Sequence, residues 1–332
     1  MRPAAISSTL VLLSLTSSGV ASSYPRFTKR DDFKLTVDNK TDVVLQPSLA
    51  GDFADPGLIH GDDGRWYAFA TNGDGVHVPM AAADEPLGEW TRLAGDAMPA
   101  PGWTNGTDTW APDVRRLADG TYIMYFAGRM AGARHCIGTA RSPNVTGPYV
   151  PDPQPFTCHL DAGGSIDAAG FLDERTGKRY VTYKIDGNAI GNGGSCGNTV
   201  KPIVDTPLRL QEVDAADGST PIGDAVTLLD LDPDSDGPVI EAPDIVLVGG
   251  VYVLFFSAGC YDGEGYEVRY AYASDVGGPY TRAPEPLLRT ADLGLVGPGG
   301  ATGTDDGTLV LALHGYCGDI RCMYVVEYEI EH

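Results

Sequence analysis

The chain has 332 residues, a formal net charge of −22, 43 glycines and 24 prolines. A surface this acidic repels phosphate backbones and argues against nucleic-acid binding; it suits a neutral partner such as a polysaccharide, and equally it serves only to keep the protein dispersed. After the leader no stretch approaches the ~20 apolar residues of a membrane helix, so no membrane span is expected.

The first residues read as a targeting segment. Arg2 supplies a positive start, Leu10-Val11-Leu12-Leu13-Ser14-Leu15 an apolar run too short to cross a bilayer, and Ser17 to Ser23 the small residues that precede cleavage near Ala21. Residues 1–21 are therefore expected to be a signal peptide, and 22–30 a propeptide ending at the dibasic Lys29-Arg30. That pair resembles a kexin-type processing site, although an ordinary exposed basic pair has the same sequence. Residues 31–332 are predicted to form one domain of a secreted, extracellular, monomeric protein. Six cysteines in such a chain imply up to three disulfides. Cys317 and Cys322 bracket a local loop, while Cys136, Cys158, Cys196 and Cys260 leave three pairings open. Asn39, Asn105 and Asn144 begin glycosylation sequons.

From residue 48 onward the apolar runs are short, rich in Val, Tyr, Phe and Ile, and broken by Gly, Pro and Asp, as in a chain of many strands. Five of them share one form, a turn ending in glycine and then a strand: Gly64 before Trp66-Tyr67, Gly120 before Tyr122-Ile123, Gly177 before Tyr180-Val181, Gly250 before Tyr252-Val253, and Gly307 before Leu309-Val310. The glycines stand 56, 57, 73 and 57 residues apart. Even spacing at this length predicts an all-β, five-bladed β-propeller, whereas a β-sandwich supplies short strands without the interval. The long third interval requires an insertion, placed at Gly187 to Gly197. Gly147-Pro148-Tyr149 and Gly278-Pro279-Tyr280 repeat the same register.

Ahead of each turn lies a distinctive segment: Ala54-Asp55-Pro56, Trp110-Ala111-Pro112-Asp113, Ser165-Ile166-Asp167, Glu241-Ala242-Pro243, and in the fifth repeat Gly297-Pro298-Gly299-Gly300, without an acid. First strands of propeller blades line the central channel, so Asp55, Asp113, Asp167 and Glu241 are expected at matching positions around one pocket. Crowded carboxylates raise the pKa of at least one member, which gives the acid and base pair that glycosidic cleavage needs. Any one such Asp taken alone is as readily a turn cap.

These motifs resemble glycoside hydrolase family 43, the arabinanase, arabinofuranosidase and β-xylosidase group, over nearly all of residues 48–332. The resemblance implies Asp55 as general base, Glu241 as general acid and Asp167 as the group that tunes and orients that acid. It further implies inverting hydrolysis of arabinofuranosyl or xylosyl bonds in plant cell-wall polysaccharides, with no cofactor in the chemistry. Ala242 replaces a more usual Gly after the acid, and Gly300 stands where many relatives carry His. His314 matches a histidine near a central metal, often calcium, or its water shell; a buried, hydrogen-bonded channel histidine is the equal alternative. Trp110 is expected either to stack on a sugar or to plug the space between blades. Asp113, Tyr261 and Tyr316 are expected to help line the substrate site, and His60, His77 and His135 to lie at surfaces or turns.

Two rivals remain. A retaining, sucrose-cleaving propeller requires an Asn-Asp-Pro nucleophile and a Glu-Cys acid, where this chain has Ala54-Asp55 and Glu241-Ala242. A non-catalytic carbohydrate-binding propeller has no need of three channel acids.

Overall fold

A computed structural model describes residues 33–331, except 39, 107, 131, 133 and 305. The leader, the dibasic pair, Asn39 and the Thr107 of the second sequon lie outside the described residues. Asn105 and Asn144 are exposed.

The predicted repeat becomes five sheets, each antiparallel and built from consecutive strands. The first pairs Gly57–His60, Trp66–Phe69, Met80–Ala83 and Thr91–Arg92; the second Thr109–Arg116, Tyr122–Arg129, His135–Ser142 and Val150–Pro151. The third pairs Ser165–Asp173, Lys178–Ile185, Leu208–Val213 and Pro221–Leu229; the fourth Ile240–Val248, Val251–Ala258, Glu267–Ala273 and Thr281–Arg282. The fifth has Gly299–Thr302, Val310–Tyr316 and Arg321–Glu327. Chain from the other end completes it: Ser48 N–H donates to Met323 O, Leu49 bridges to Met323, and Phe53 N–H donates to Arg321 O. Lys34–Thr36 also pairs with Glu329–Glu331, so both ends of the described chain close the ring.

The recurring glycines are the hairpin turns. Gly64, Gly120, Gly177, Gly250 and Gly307 all have φ between 71° and 88°, a region closed to most L-residues. Inner strands are buried on both faces, as in Trp66–Phe69, because each blade packs against two neighbours. The apolar side chains fall into five clusters, one at each junction between blades. Phe69 and Met80 thus meet Met124 and Phe126 between the first and second blades, while Trp66 and Ala68 meet Ala312 and Val325 where the fifth returns to the first. The fourth strands of three blades are only two residues long, which leaves little open edge for another chain to pair with. In the two Gly-Pro-Tyr repeats Tyr149 Oη donates to Val145 O and Tyr280 Oη to Val276 O, so the echo in sequence is an echo in structure.

The insertion falls where the spacing put it. Between the second and third strands of blade three the chain forms short 3₁₀ turns at Gly187–Ile190 and Ser195–Gly197. The disulfides are Cys136–Cys158, Cys196–Cys260 and Cys317–Cys322. The second ties this insertion to the blade-four loop that carries Tyr261.

Candidate active site

Every first strand carries the same irregularity. One extra residue interrupts the pairing between Trp110 and Asp113, between Ile166 and Ala169, between Glu241 and Asp244, and between Gly299 and Thr302. In blade one the step from Ala54, bonded to Thr71, to Gly57, paired with Phe69, is the same. At each bulge one residue turns left-handed: Asp55, Ala111, Asp167, Ala242 and Gly300, with φ of 52°, 42°, 57°, 51° and 59°. Bulges re-aim side chains, and left-handed non-glycine residues concentrate where function maintains them.

This register corrects one expectation. Asp55 and Asp167 occupy equivalent positions, but Glu241 stands one residue earlier, level with Trp110. Asp113 stands two residues later, level with Asp244. The offset separates their surroundings. Asp55, Asp167 and Glu241 line one cavity of about 410 Å³, together with Trp110, Lys184, Asp186, Tyr261, Tyr266 and Arg321. Asp113 touches its wall, but its side chain is only 3% exposed, and it accepts Arg115 Nε at 2.9 Å and the Gly170 N–H at 2.8 Å. Arg115 Nη2 reaches Asp244 Oδ1 at 3.1 Å, and Asp244 accepts the Gly303 N–H. Asp113 is thus one of the three members of a buried ionic strut joining blades two to five, and its carboxylate is committed there and not to a sugar.

Two donors and one imidazole surround the Asp55 carboxyl, and the imidazole Nδ1 accepts the Asp55 N–H at 3.2 Å. Thr71 Oγ1 donates to Oδ2 at 2.6 Å, Arg321 Nη1 stands 3.3 Å from Oδ1, and His314 Nδ1 stands 3.1 Å from the same oxygen. Burial alone pushes this carboxyl up, but Arg321, His314 and the Thr71 hydroxyl outweigh it and hold it well below the usual carboxylate range. Asp55 is built to stay ionised. Asp167 is the opposite case: burial first, then the neighbouring Glu241, push it up to about 8, against the opposing effect of Lys184. Its Oδ2 accepts the Ala242 N–H at 2.9 Å, which fixes it beside Glu241. Glu241 Oε1 accepts from Tyr266 Oη at 2.8 Å and Oε2 from Lys184 Nζ at 2.9 Å. The charge of Glu241 beside it favours the neutral form of Asp167.

The glycines of blade five explain its missing acid. A Cβ on Gly299 would lie 1.9 Å from the Tyr266 ring, and one on Gly300 would lie 2.9 Å from His314 Nδ1 and 3.0 Å from Asp55 Oδ1. That volume is given to the two rings, which stack with centroids 5.7 Å apart. A side chain at Gly300 would displace the groups that hold Asp55.

His314 is fully buried, and its Nε2 has no hydrogen-bond partner. A metal at the channel centre would gain one nitrogen from the protein and take the rest of its shell from water. Among the described residues the one group of three clustered ligand types is Cys196, Cys260 and Asp262, and its two cysteines are bonded to each other.

Trp110 lines the cavity and stacks on His135, with ring centroids 3.8 Å apart. His135 is therefore buried beneath Trp110, with Nε2 3.3 Å from Asp108, which corrects its expected place at the surface. His60 and His77 remain partly exposed. Tyr261 reaches the cavity and lies over Arg321. Tyr316 does not line it; its hydroxyl donates to Tyr261 O and supports that loop instead. Sequence reading missed Lys184, Asp186, Tyr266, Thr71 and Arg321. Lys184 had a signal, being a charge at the end of the apolar run Tyr180-Val181-Thr182-Tyr183 with Asp186 two residues on.

Comparison with known proteins agrees with this fold. The model of glycosyl hydrolases family 43 matches residues 44–324. A protein of Aspergillus flavus named "Probable arabinan endo-1,5-alpha-L-arabinosidase C" is 30% identical over 282 residues, which is 78% of this chain and 81% of that one. The crystal structure of a thermostable family-43 glycoside hydrolase superposes with a TM-score of 0.72 at 22% identity, covering 90% of this chain and 96% of that one. An endo-arabinase from Bacteroides thetaiotaomicron superposes with a TM-score of 0.65 at 18% identity, covering 87% and 98%. These last two likenesses concern the fold.

Proposed function

The chain belongs to glycosyl hydrolases family 43, and from that premise we propose that it is a secreted, inverting hydrolase of arabinofuranosyl bonds in plant cell-wall polysaccharides such as arabinan and arabinoxylan. Membership makes it a glycosidase. The observation that carries the site assignment is the meeting of Asp55, Asp167 and Glu241, from three blades, in one cavity with opposed electrostatics.

Asp55, held ionised by Arg321, His314 and Thr71, takes a proton from the attacking water. Glu241 protonates the leaving oxygen, and Asp167 beside it, itself neutral up to mildly alkaline pH, orients that acid. Trp110, already stacked on His135, offers its other face to a sugar ring. Hydrolysis by these carboxylates needs no cofactor. A calcium ion held through His314 Nε2 and water would add positive charge that favours the ionised form of Asp55.

The arabinan preference draws on the name of the Aspergillus protein. The insertion pinned by Cys196–Cys260 places Asn188, Ala189 and Cys196 on the cavity wall, which favours chain ends over internal stretches. Secretion draws on the leader sequence and the three disulfides. We take 31–332 as one monomeric catalytic domain, freed of its leader and propeptide. Product analysis on linear arabinan, arabinoxylan and xylobiose is the test. Arabinose or arabino-oligosaccharides from the polymers are expected; rapid xylose release from xylobiose, with no arabinose product, overturns the preference.

A further inference from the structure

Asp186 lines the cavity, and the hydrolysis described above gives it no part. Lys184, wholly buried, holds it: Nζ stands 3.1 Å from Asp186 Oδ1 and 2.9 Å from Glu241 Oε2, so one ammonium ties this carboxylate to the candidate acid. Among the described residues no group bonds the other oxygen, Oδ2, and the 9% of the side chain left exposed faces the cavity. The backbone beneath is pinned. Asp186 N–H donates to Gly164 O at 3.0 Å, and Gly163 packs so closely that a Cβ there would lie 2.1 Å from Asp186 O. Asp186 is also near enough to act electrostatically on His135, the ring on which Trp110 stacks with centroids 3.8 Å apart. An aromatic face and a rigid acceptor oxygen line one cavity beside the acid that must reach the cleaved bond. Together they suit a sugar ring, whose C–H side takes the face and whose hydroxyl takes the oxygen.

We propose that Asp186 is a specificity-determining residue, whose Oδ2 accepts the hydrogen of one hydroxyl on a sugar flanking the cleaved bond. This deepens the proposed function and rests on the cavity being its hydrolytic site. The pairing with Lys184 sets the geometry. An ammonium has only donors, so it takes one oxygen of Asp186 and leaves the other turned to the cavity as an acceptor. A hydroxyl meets that oxygen in a charge-assisted bond, about twice as strong as a neutral one. A sugar that lacks the hydroxyl leaves a desolvated acceptor unpaired, and the site rejects it for that reason.

Two substitutions separate this role from that of a mere counter-ion to Lys184. Asp186→Ala removes both oxygens and leaves the ammonium with Glu241. Asp186→Asn keeps the shape and keeps Lys184 supplied, since the amide oxygen must face the ammonium; the amide nitrogen then faces the cavity, a donor where an acceptor stood. A hydroxyl can turn to accept from it, but in a bond without the charge. Loss of the ion pair alone changes the site for every substrate alike. Loss of the hydroxyl contact weighs only on substrates that carry the hydroxyl.

The test is kcat/KM on the shortest arabinofuranosyl or xylosyl substrate that the wild type cleaves, and on its monodeoxy derivatives, with each hydroxyl of the sugars flanking the cleaved bond removed in turn. The variant-to-wild-type ratio for each compound cancels the derivative's own reactivity. Asp186→Ala is expected to lose about 10–100-fold on the parent and at least about tenfold less on one derivative. Asp186→Asn is expected to single out the same derivative by about threefold or more. No loss on the parent, or an equal loss on the parent and every derivative, overturns the assignment. If Asp186→Ala does not fold, Asp186→Asn decides alone by the same comparison. A wild type that cleaves neither kind of pentoside refutes the hydrolytic reading, and this assignment with it; the variant ratios bear on Asp186 only.

Discussion

His314 Nδ1 accepts the Asp55 backbone N–H at 3.2 Å and stands 3.1 Å from Asp55 Oδ1, so one buried ring holds the left-handed backbone of the candidate base and lies against its carboxyl. Removing the ring should therefore weaken the base in two ways. In His314→Ala the Asp55 carboxyl loses one of the partners that hold it low, so its pKa rises and the acid limb of kcat/KM moves to higher pH. Arg321→Met should move that limb in the same direction, and pH–rate profiles of the two variants check both shifts. A limb that stays in place in both would mean that neither partner tunes Asp55.

Asp167 has consequences for stability as well as rate. Its pKa is pushed up to about 8 in the folded protein, against about 3.9 for an unfolded Asp. Between those values the folded state binds the extra proton, so stability is expected to fall as pH rises from 4 to 8 and to flatten above that. Denaturant midpoints across that range should show the fall, and Asp167→Asn should lose most of it. The alkaline limb of activity should lie near the same upper value.

The strut of Asp113, Arg115 and Asp244 is expected to matter for folding and not for chemistry. Arg115→Met leaves two buried carboxylates without their shared cation, at a cost of about 3–5 kcal/mol. Urea unfolding measures that loss, while turnover per folded molecule should stay near wild type. A stable protein with abolished turnover would return Asp113 to the substrate site.

Stereochemistry separates direct attack by water from a covalent route. Inverting carboxyl pairs stand roughly 6.5–9.5 Å apart to admit the water, and retaining pairs about 5 Å. Proton NMR of the first product is expected to show the inverted anomer, and retained configuration would favour the sucrase-like alternative.

Much of this was legible in the sequence, for a physical reason. The turn glycines need left-handed backbone and tolerate few substitutes, so their spacing of 56 or 57 residues, broken once by the insertion, survives as text. Asp55, Asp167 and Glu241 stand out in the sequence because each lies in a short motif where a blade begins. Their matching positions were misjudged by one residue for Glu241 and two for Asp113, since the bulge recurs at one place in every first strand while the distance from it to the turn glycine differs between blades. Arg321 stayed hidden because it enters from the third strand of the last blade, 266 residues from the Asp55 it holds. Its neighbour Cys322 drew attention only as a disulfide partner. His135 was misread because nothing near it in sequence says that Trp110 lies on top.

The most direct test of the account is kcat of Asp55→Ala and Glu241→Ala on the polysaccharide that the wild type cleaves, with folding verified by melting. Each is expected to lose about 10²–10⁴-fold, the range for losing a general base or acid. Near wild-type turnover in either folded variant would contradict the assignment.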